Sequence, residues 1–379
     1  MGSTVNFNWM TRRQLIVLGT SFVPSLRAQE IQLFTGRTLK GWTVEQGPET
    51  AFFVNGDGEV TVHPGSNFPT WLRSDTEFEN FDWSGEVFLK GWANGGLYFC
   101  APRHGPPADC GFKLNIFHKL DNPPLKESVG AIFPVVAPTK VTVRPKGEWN
   151  TFRIRLDWPS LKVWWNGEMV QDLDLEANEE LKHRLRRGHL GIESLSYPLR
   201  YRNFKITRLP GKESWEPLYN SPEDFSKWTA SEKASWETIG PVLRADGLGY
   251  LISKSRYQDF IFECYVRASK FSNGGVLFRG GTESSDPRYE IQIHDVEGAV
   301  YPTGSLYGLE RAKPYPRIHP EEWFLFQLTA MGKRCVVRIN GETVVDCNKL
   351  DRTGAGTILI QAHQKGSWIE YKGLLIKRL

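Results

Sequence analysis

Three polar side chains in one short stretch alternate with three apolar ones. In Tyr289-Glu290-Ile291-Gln292-Ile293-His294, Glu290, Gln292 and His294 share one parity, while Tyr289, Ile291 and Ile293 share the other. An extended strand sends successive side chains to opposite faces, so a carboxylate, an amide and an imidazole are expected together on one face. In the preceding run Val276-Leu277-Phe278-Arg279, Arg279 shares its parity with Leu277, which would bring a guanidinium to the same place. Asp295 ends the first stretch, and Tyr307 follows in a loop between Gly304 and Gly308. Such a set contains a base, proton donors and a positive group for a developing oxyanion. The competing reading pairs Glu290 with Arg279 as a buried ion pair that only holds the sheet.

The elements that must position these groups are written twice. Asn94-Gly95-Gly96-Leu97-Tyr98-Phe99 recurs from Asn273 as Asn-Gly-Gly-Val-Leu-Phe, an offset of 179. Phe112 to Ile116 recurs as Tyr289 to Ile293, an offset of 177. Gly130 to Phe133, Glu148-Trp149 and Asn166-Gly167 recur at Gly304 to Tyr307, Glu322-Trp323 and Asn340-Gly341, each offset by 174. A period this long is a domain, not a solenoid unit. The junction falls in the turn-rich Leu209-Pro210-Gly211-Lys212. Short runs rich in β-branched and aromatic residues, such as Val141 to Val143, Thr151 to Leu156 and Leu161 to Trp165, predict strands. The two Asn-Gly pairs predict tight hairpins. One helix is expected, near Glu176 to Leu185. The pattern is all-β: two tandem antiparallel sandwiches over residues 29–208 and 212–379.

Composition narrows the partners. The 379 residues carry a net charge of +4, too small and too spread to imply nucleic acid. The basic run Lys182 to Arg187 reads as a solvated loop or short helix. No long apolar run follows the N-terminus, so no membrane span is expected. Fourteen Trp suit a protein that handles sugars, although sandwich cores also consume Trp; Trp92, Trp164 and Trp165 are candidates for either use. Thr11-Arg12-Arg13-Gln14-Leu15-Ile16, an apolar stretch to Phe22 and a small residue at Ala28 resemble a twin-arginine signal peptide over residues 1–28, which predicts export to the periplasm or beyond. Five Cys leave an odd thiol; Cys335 and Cys347 flank the Asn340-Gly341 turn, where a disulfide is geometrically feasible. Asp, Glu and His are present for a divalent cation, but no spacing specifies one.

Taken together, these motifs resemble the 3-keto-disaccharide hydrolase domain family, also described as 3-keto-α-glucoside lyase/3-keto-glucal hydratase domains. Its opening pattern stands here as Leu33-Phe34-Thr35-Gly36-Arg37-Thr38-Leu39-Lys40-Gly41-Trp42, with a weaker copy from Leu218 to Trp228. Its characteristic strands match Asn273 to Arg279 and Tyr289 to Asp295, its glycine loop Thr303 to Gly308, and its later strands Gly147 to Asn150 and Ile339 to Gly341. The resemblance implies a concanavalin A-like jelly roll with a sugar-sized concave groove. It also implies two further site residues, Gln361 and His363, from a Gln-x-His pattern. The expected catalytic set is therefore Glu290, Arg279, His363, Asp295 and Tyr307, with Gln292, His294 and Gln361 binding substrate. The first copy carries Lys113, Asn115, Cys100, Phe133 and Glu193 where the second has Glu290, Gln292, Arg279, Tyr307 and Gln361.

The implied reaction starts from a 3-keto-glycoside, whose ketone acidifies the hydrogen on C2. A base removes that proton, the glycosidic bond leaves by β-elimination, and hydration completes a net hydrolysis. Glu290 or His363 suits the base, Tyr307 or Asp295 the acid, and Arg279 or a cation the enolate. Two other classes stay open: a non-catalytic, lectin-like carbohydrate-binding protein, and an ordinary glycosidase with paired carboxylates. The last has only Glu290, with Asp295 beyond it, to offer.

Overall fold

The computed structural model describes residues 1–2, 29–65, 70–231, 233–283, 286–294, 296, 298–316 and 318–379. Residues 3–28, on which the expected signal peptide rests, and Asp295 lie outside the described residues. The architecture is two β-sandwiches in tandem, each a five-stranded sheet packed on an eight-stranded one.

Ten strands carry the argument. The first five-stranded sheet holds β1 (Trp42–Glu45), β2 (Thr70–Phe78), β3 (Asn94–Ala101), β4 (Phe112–Phe117) and β5 (Gly188–Ser194). The second holds β6 (Trp228–Ala230), β7 (Gly249–Tyr257), β8 (Asn273–Gly280), β9 (Tyr289–His294) and β10 (Gly356–Ala362). Their spatial orders are β1-β2-β5-β3-β4 and β6-β7-β10-β8-β9, the same path in both copies, and the eight-stranded sheets also match strand for strand. All paired strands run antiparallel. The duplication in the sequence is therefore a duplication of topology, and the fold is the expected all-β jelly-roll sandwich.

Each copy has its own core. Trp83, Trp165, Tyr201 and Phe204 are fully buried in the first, and Tyr257, Phe260, Phe262 and Tyr371 in the second. Burying a large ring of this kind contributes about 1.5–3 kcal/mol, so each sandwich has an apolar reason to fold. Trp165 is thus core, Trp164 lies under Arg153, and Trp92 is largely exposed. In β5, β10 and most of β8 the side chains of both parities are buried. The outer face of each five-stranded sheet is therefore a recess.

Four local expectations are corrected. Residues 176–185 form successive turns instead of a helix, with the Asn178 side chain accepting from the Glu180 and Leu181 amides. Val141 to Val143 joins no ladder; Thr142 instead exchanges bonds with Trp165 and Asn166 of the neighbouring hairpin. Cys335 and Cys347 are directly opposite in register, yet all five thiols are buried and unbonded. The basic run Lys182 to Arg187 is a joint and not a solvated loop. Arg184 donates to the Ala108 and Gly111 carbonyls, Arg186 pairs with Glu213 at 2.7 Å, and the His183 carbonyl accepts from Gln327 of the second domain. Leu325 of the second domain is packed into the first domain's core.

The two Asn-Gly turns give an internal control on this joint. Both glycines have φ near +80°, where any side chain is strained. An added Cβ at Gly167 meets nothing within 4 Å, whereas one at Gly341 would lie 2.5 Å from the Asp109 backbone across the joint. Gly167→Ala should cost about 1 kcal/mol from strain alone, and Gly341→Ala clearly more, about 2–4 kcal/mol. Thermal unfolding of the two variants side by side checks this; equal losses would show that the joint does not close on Gly341.

Candidate active site

On the outer face of the second five-stranded sheet, hydrogen-bonding register sets the side chains in rows. Tyr250, Gln361, Gly275 and Gln292 form one row across β7, β10, β8 and β9. Ile252, Leu359, Leu277 and Glu290 form the next. Neighbours in a row are about 4.8 Å apart. Tyr289, Ile291 and Ile293 face the core, as the alternation requires.

Gly275 explains where the Glu290 carboxylate goes. A Cβ at Gly275 would fall 2.9 Å from Glu290 Oε1 and 3.0 Å from its Cγ. The carboxylate therefore lies over the glycine, between the two glutamines of the neighbouring row. Burial pushes its pKa up to about 7, only partly offset by the nearby Arg288 charge. Gln292 is fixed by donating to Asn273 Oδ1 at 2.7 Å, and Gln361 by donating to Tyr250 Oη at 3.3 Å.

Arg279 does not join this face. The strand bulges between Leu277 and Gly280, and Arg279 sits in the left-handed region at φ 52°, which breaks the parity on which the expectation rested. Its guanidinium donates to the carbonyls of Gln258 (3.1 Å), Gly332 (2.6 Å) and Arg352 (2.9 Å) and to Asp259 Oδ1 (3.0 Å). It clamps three loops, and its acidic partner is Asp259, not Glu290. The cation near the carboxylate is Arg288, two residues before Glu290, whose guanidinium lies 4.6 Å from the Tyr250 ring centre. One more step back along the same alternation finds it; Tyr250 comes from a strand that no local pattern ties to β9.

The remaining residues flank the recess. The Tyr307 amide donates to the Glu290 carbonyl, beside the Ile291–Leu306 bridge, so Tyr307 takes the position next to Glu290 at the sheet edge. Its side chain is mostly exposed and lies 5.1 Å from the Tyr301 ring. His294 is opposite Asn273 at the end of β9, and its amide donates to the Thr303 hydroxyl. His363 follows β10 directly and is exposed at the rim. Among the described residues, no group of three or more His, Cys, Asp or Glu side chains gathers to hold a metal ion.

The same positions in the first domain have opposite chemistry. Lys113 lies over Gly96 as Glu290 lies over Gly275, with an added Cβ 2.5 Å from Lys113 Cε. Its ammonium pairs with Glu193 at 2.6 Å and sits 4.8 Å from the Phe133 ring centre. Glu193 also accepts from Tyr98 Oη at 2.6 Å, and Trp71 packs edge-on against Tyr98. The two charges neutralise each other within the recess. Cys100 repeats the left-handed bulge of Arg279 at φ 49° without a guanidinium to use it.

Two substitutions separate scaffold from site. Arg279→Met strands three carbonyls and Asp259, and should lower stability by about 2–4 kcal/mol in denaturant unfolding while leaving kcat within a few-fold. Lys113→Met leaves Glu193 buried without its cation and should destabilise by about 3 kcal/mol, and Lys113→Met/Glu193→Gln should recover much of that loss. A double variant no more stable than the single one would show that the pair is not a closed unit.

Comparison with known proteins places the chain. No curated protein matches it. Among solved structures, a Parabacteroides distasonis protein provisionally described as a glycosyl hydrolase is 19% identical and covers 48% of this chain and 94% of its own, with a TM-score of 0.42. A carbohydrate-binding module from Bacillus subtilis (13% identical, 40% and 95% covered, TM-score 0.31) and the Bacillus licheniformis β-glucanase (12%, 45% and 100%, 0.33) are also similar. The profile of the 3-keto-alpha-glucoside-1,2-lyase-like domain matches residues 29–207 and again residues 214–377. Its two copies span both sandwiches, and the chain belongs to that carbohydrate-active family as a tandem pair of its domains.

Proposed function

We propose that the second domain cleaves 3-keto-glycosides by elimination and hydration, in a protein exported through its N-terminal segment. The observation that supports this most is the Glu290 carboxyl, seated over Gly275 between two amides and held near neutrality by burial. A base of that strength is half ionised at neutral pH and still basic enough to accept a carbon-bound proton next to a ketone.

In this reading the Glu290 carboxylate takes the proton from C2, and the C–H pair moves into an enolate with its charge on the C3 oxygen. Arg288 stands nearby as the positive group. The enolate pair then forms the C1–C2 double bond as the C3 ketone returns. The C1–O bond breaks with its electrons on the leaving oxygen, which takes a proton from Tyr307 at the sheet edge. Water adds at C1 and a proton returns to C2, so one water is consumed. Gln292 and Gln361 orient hydroxyls, with His294 and His363 at the rim. The first domain's neutralised recess favours a supporting role for that copy.

Three measurements test this. In heavy water the released 3-keto sugar should carry deuterium at C2, and unoxidised glycosides should not react; rapid cleavage of plain glycosides without exchange would point to a conventional glycosidase, and tight binding without turnover to a lectin. The kcat/KM should rise with pH through a midpoint near 7, because the base works ionised, and Glu290→Gln should lower it by at least about 10³-fold. The raised carboxyl pKa also makes ionised Glu290 a liability to the fold. No cost exists below about pH 4, where folded and unfolded forms are both neutral; it grows up to about pH 7 and then stays. Glu290→Gln should therefore stabilise the protein by about 1–3 kcal/mol at pH 8 and by little at pH 4.

A further inference from the structure

The described cavities of a size to hold a small molecule include two between the domains. One, of about 470 Å³, is lined by Arg103, Arg186, Arg187 and Lys372, by Glu77 and Glu263, and by apolar groups including Tyr265 and Trp215. The other, of about 770 Å³, is lined by Trp71, Pro106, Pro107 and Trp323 with the carboxylates of Glu45, Glu321 and Glu322. Arg103 lines both, so they adjoin. Both fall in the range typical of ligand sites.

The charges around the smaller cavity do not cancel. Arg186 is paired with Glu213, and Arg187 with Glu77. Glu263 accepts from Gln327, and burial raises its pKa to about 7, so it carries only part of a charge. Arg103 and Lys372 remain: among the described residues no carboxylate lies within 4 Å of either. The hydrogen-bond partner of Lys372 is His104 Nε2 at 2.8 Å, a ring kept neutral by its own burial and by the cations around it. Burial, with Arg103 and Arg267 nearby, lowers the Lys372 pKa to about 8. Two cations at one cavity, neither with a carboxylate in pairing distance, form a place where an anion would relieve repulsion.

We propose that this interdomain cleft is a second saccharide site, specific for a sugar that carries a carboxylate, with Arg103 and Lys372 holding the anion. The adjoining cavity supplies groups for the rest of a sugar chain: carboxylate acceptors for hydroxyls and the apolar rings of Pro106 and Pro107. The second domain contributes Lys372, Glu321, Glu322 and Trp323, and the first Arg103, Trp71 and the prolines, so neither domain makes the site alone. It is distinct from the Glu290 recess and does not depend on the chemistry proposed there.

Calorimetric titration of the full chain with digalacturonate, neutral galactobiose and sodium sulfate tests the proposal. Digalacturonate should bind at least tenfold more tightly than galactobiose. Arg103→Ala and Lys372→Met should each weaken it tenfold or more, and Glu290→Gln should leave it unchanged. Arg103 lies on an exposed loop held by its backbone amide to Tyr265, so its variant stays readable even where Lys372→Met folds poorly. Equal affinity for the neutral sugar, no binding of digalacturonate, unchanged affinity in Arg103→Ala, or loss of binding in Glu290→Gln would each overturn it. Sulfate that binds as tightly and displaces digalacturonate would reduce the site to an adventitious anion spot and overturn it too.

Discussion

The candidate site depends on a missing side chain. A closely packed sheet offers little room for a long charged group, and any Cβ at Gly275 would occupy the volume that the Glu290 carboxylate fills. The glycine lets the carboxylate lie flat on the sheet. There it loses water, gains little charge compensation, and its pKa rises to about 7. Leu277 and Leu359 on one side and the fixed amides of Gln292 and Gln361 on the other define the environment that produces this shift. A small residue at one register position thus sets the chemistry of its neighbour on the adjacent strand.

The first domain shows that the seat is a property of the fold and the chemistry a property of the residue placed on it. Gly96 provides the same space, and Lys113 fills it. The exchange of Glu for Lys at one position reverses its charge, that of Gln for Glu in the neighbouring row adds the counter-charge, and the two close into a pair. A buried pair of this quality is roughly neutral for stability against an apolar alternative, but breaking it is costly. The duplicated copy can therefore hold its polar recess only while both partners stay, a constraint the second domain does not share. There the carboxyl is tolerated at a cost to the fold, since burial disfavours its ionised form.

The sequence made much of this legible, because strand alternation is a local property. The parity of Tyr289 to His294 correctly separates core from recess, and the repeat fixes which positions correspond between copies. The failures come where a local rule is interrupted or a partner is remote. Arg279 is misplaced because a residue at φ 52° in a bulge resets the parity of its strand, and nothing in its own neighbourhood announces that. Arg288 was available to the same rule but lies just before the strand proper. Tyr250 reaches the site through the order β7-β10-β8-β9, which places distant segments side by side. The basic run around Arg184 reads as solvated because its partners, Glu213 and Gln327, are far along the chain.

The joint between the domains explains why one recess remains available. The second domain meets the first through Glu263, Tyr265, Leu325, Gln327, Arg338 and Lys372, all on strands of its eight-stranded sheet. Glu290 belongs to the five-stranded sheet on the other side of that sandwich, so docking leaves its face uncovered. The first domain, by contrast, brings to the joint the loop after β3 and the segment before β5, both leading out of its own five-stranded sheet. Its recess therefore opens toward the partner, where Trp71 and Tyr98 line a cleft shared with Glu321, Glu322 and Trp323. Head-to-back packing of two copies of one fold thus produces two unlike recesses: a free sheet face carrying Glu290, and a cleft lined by residues of both domains.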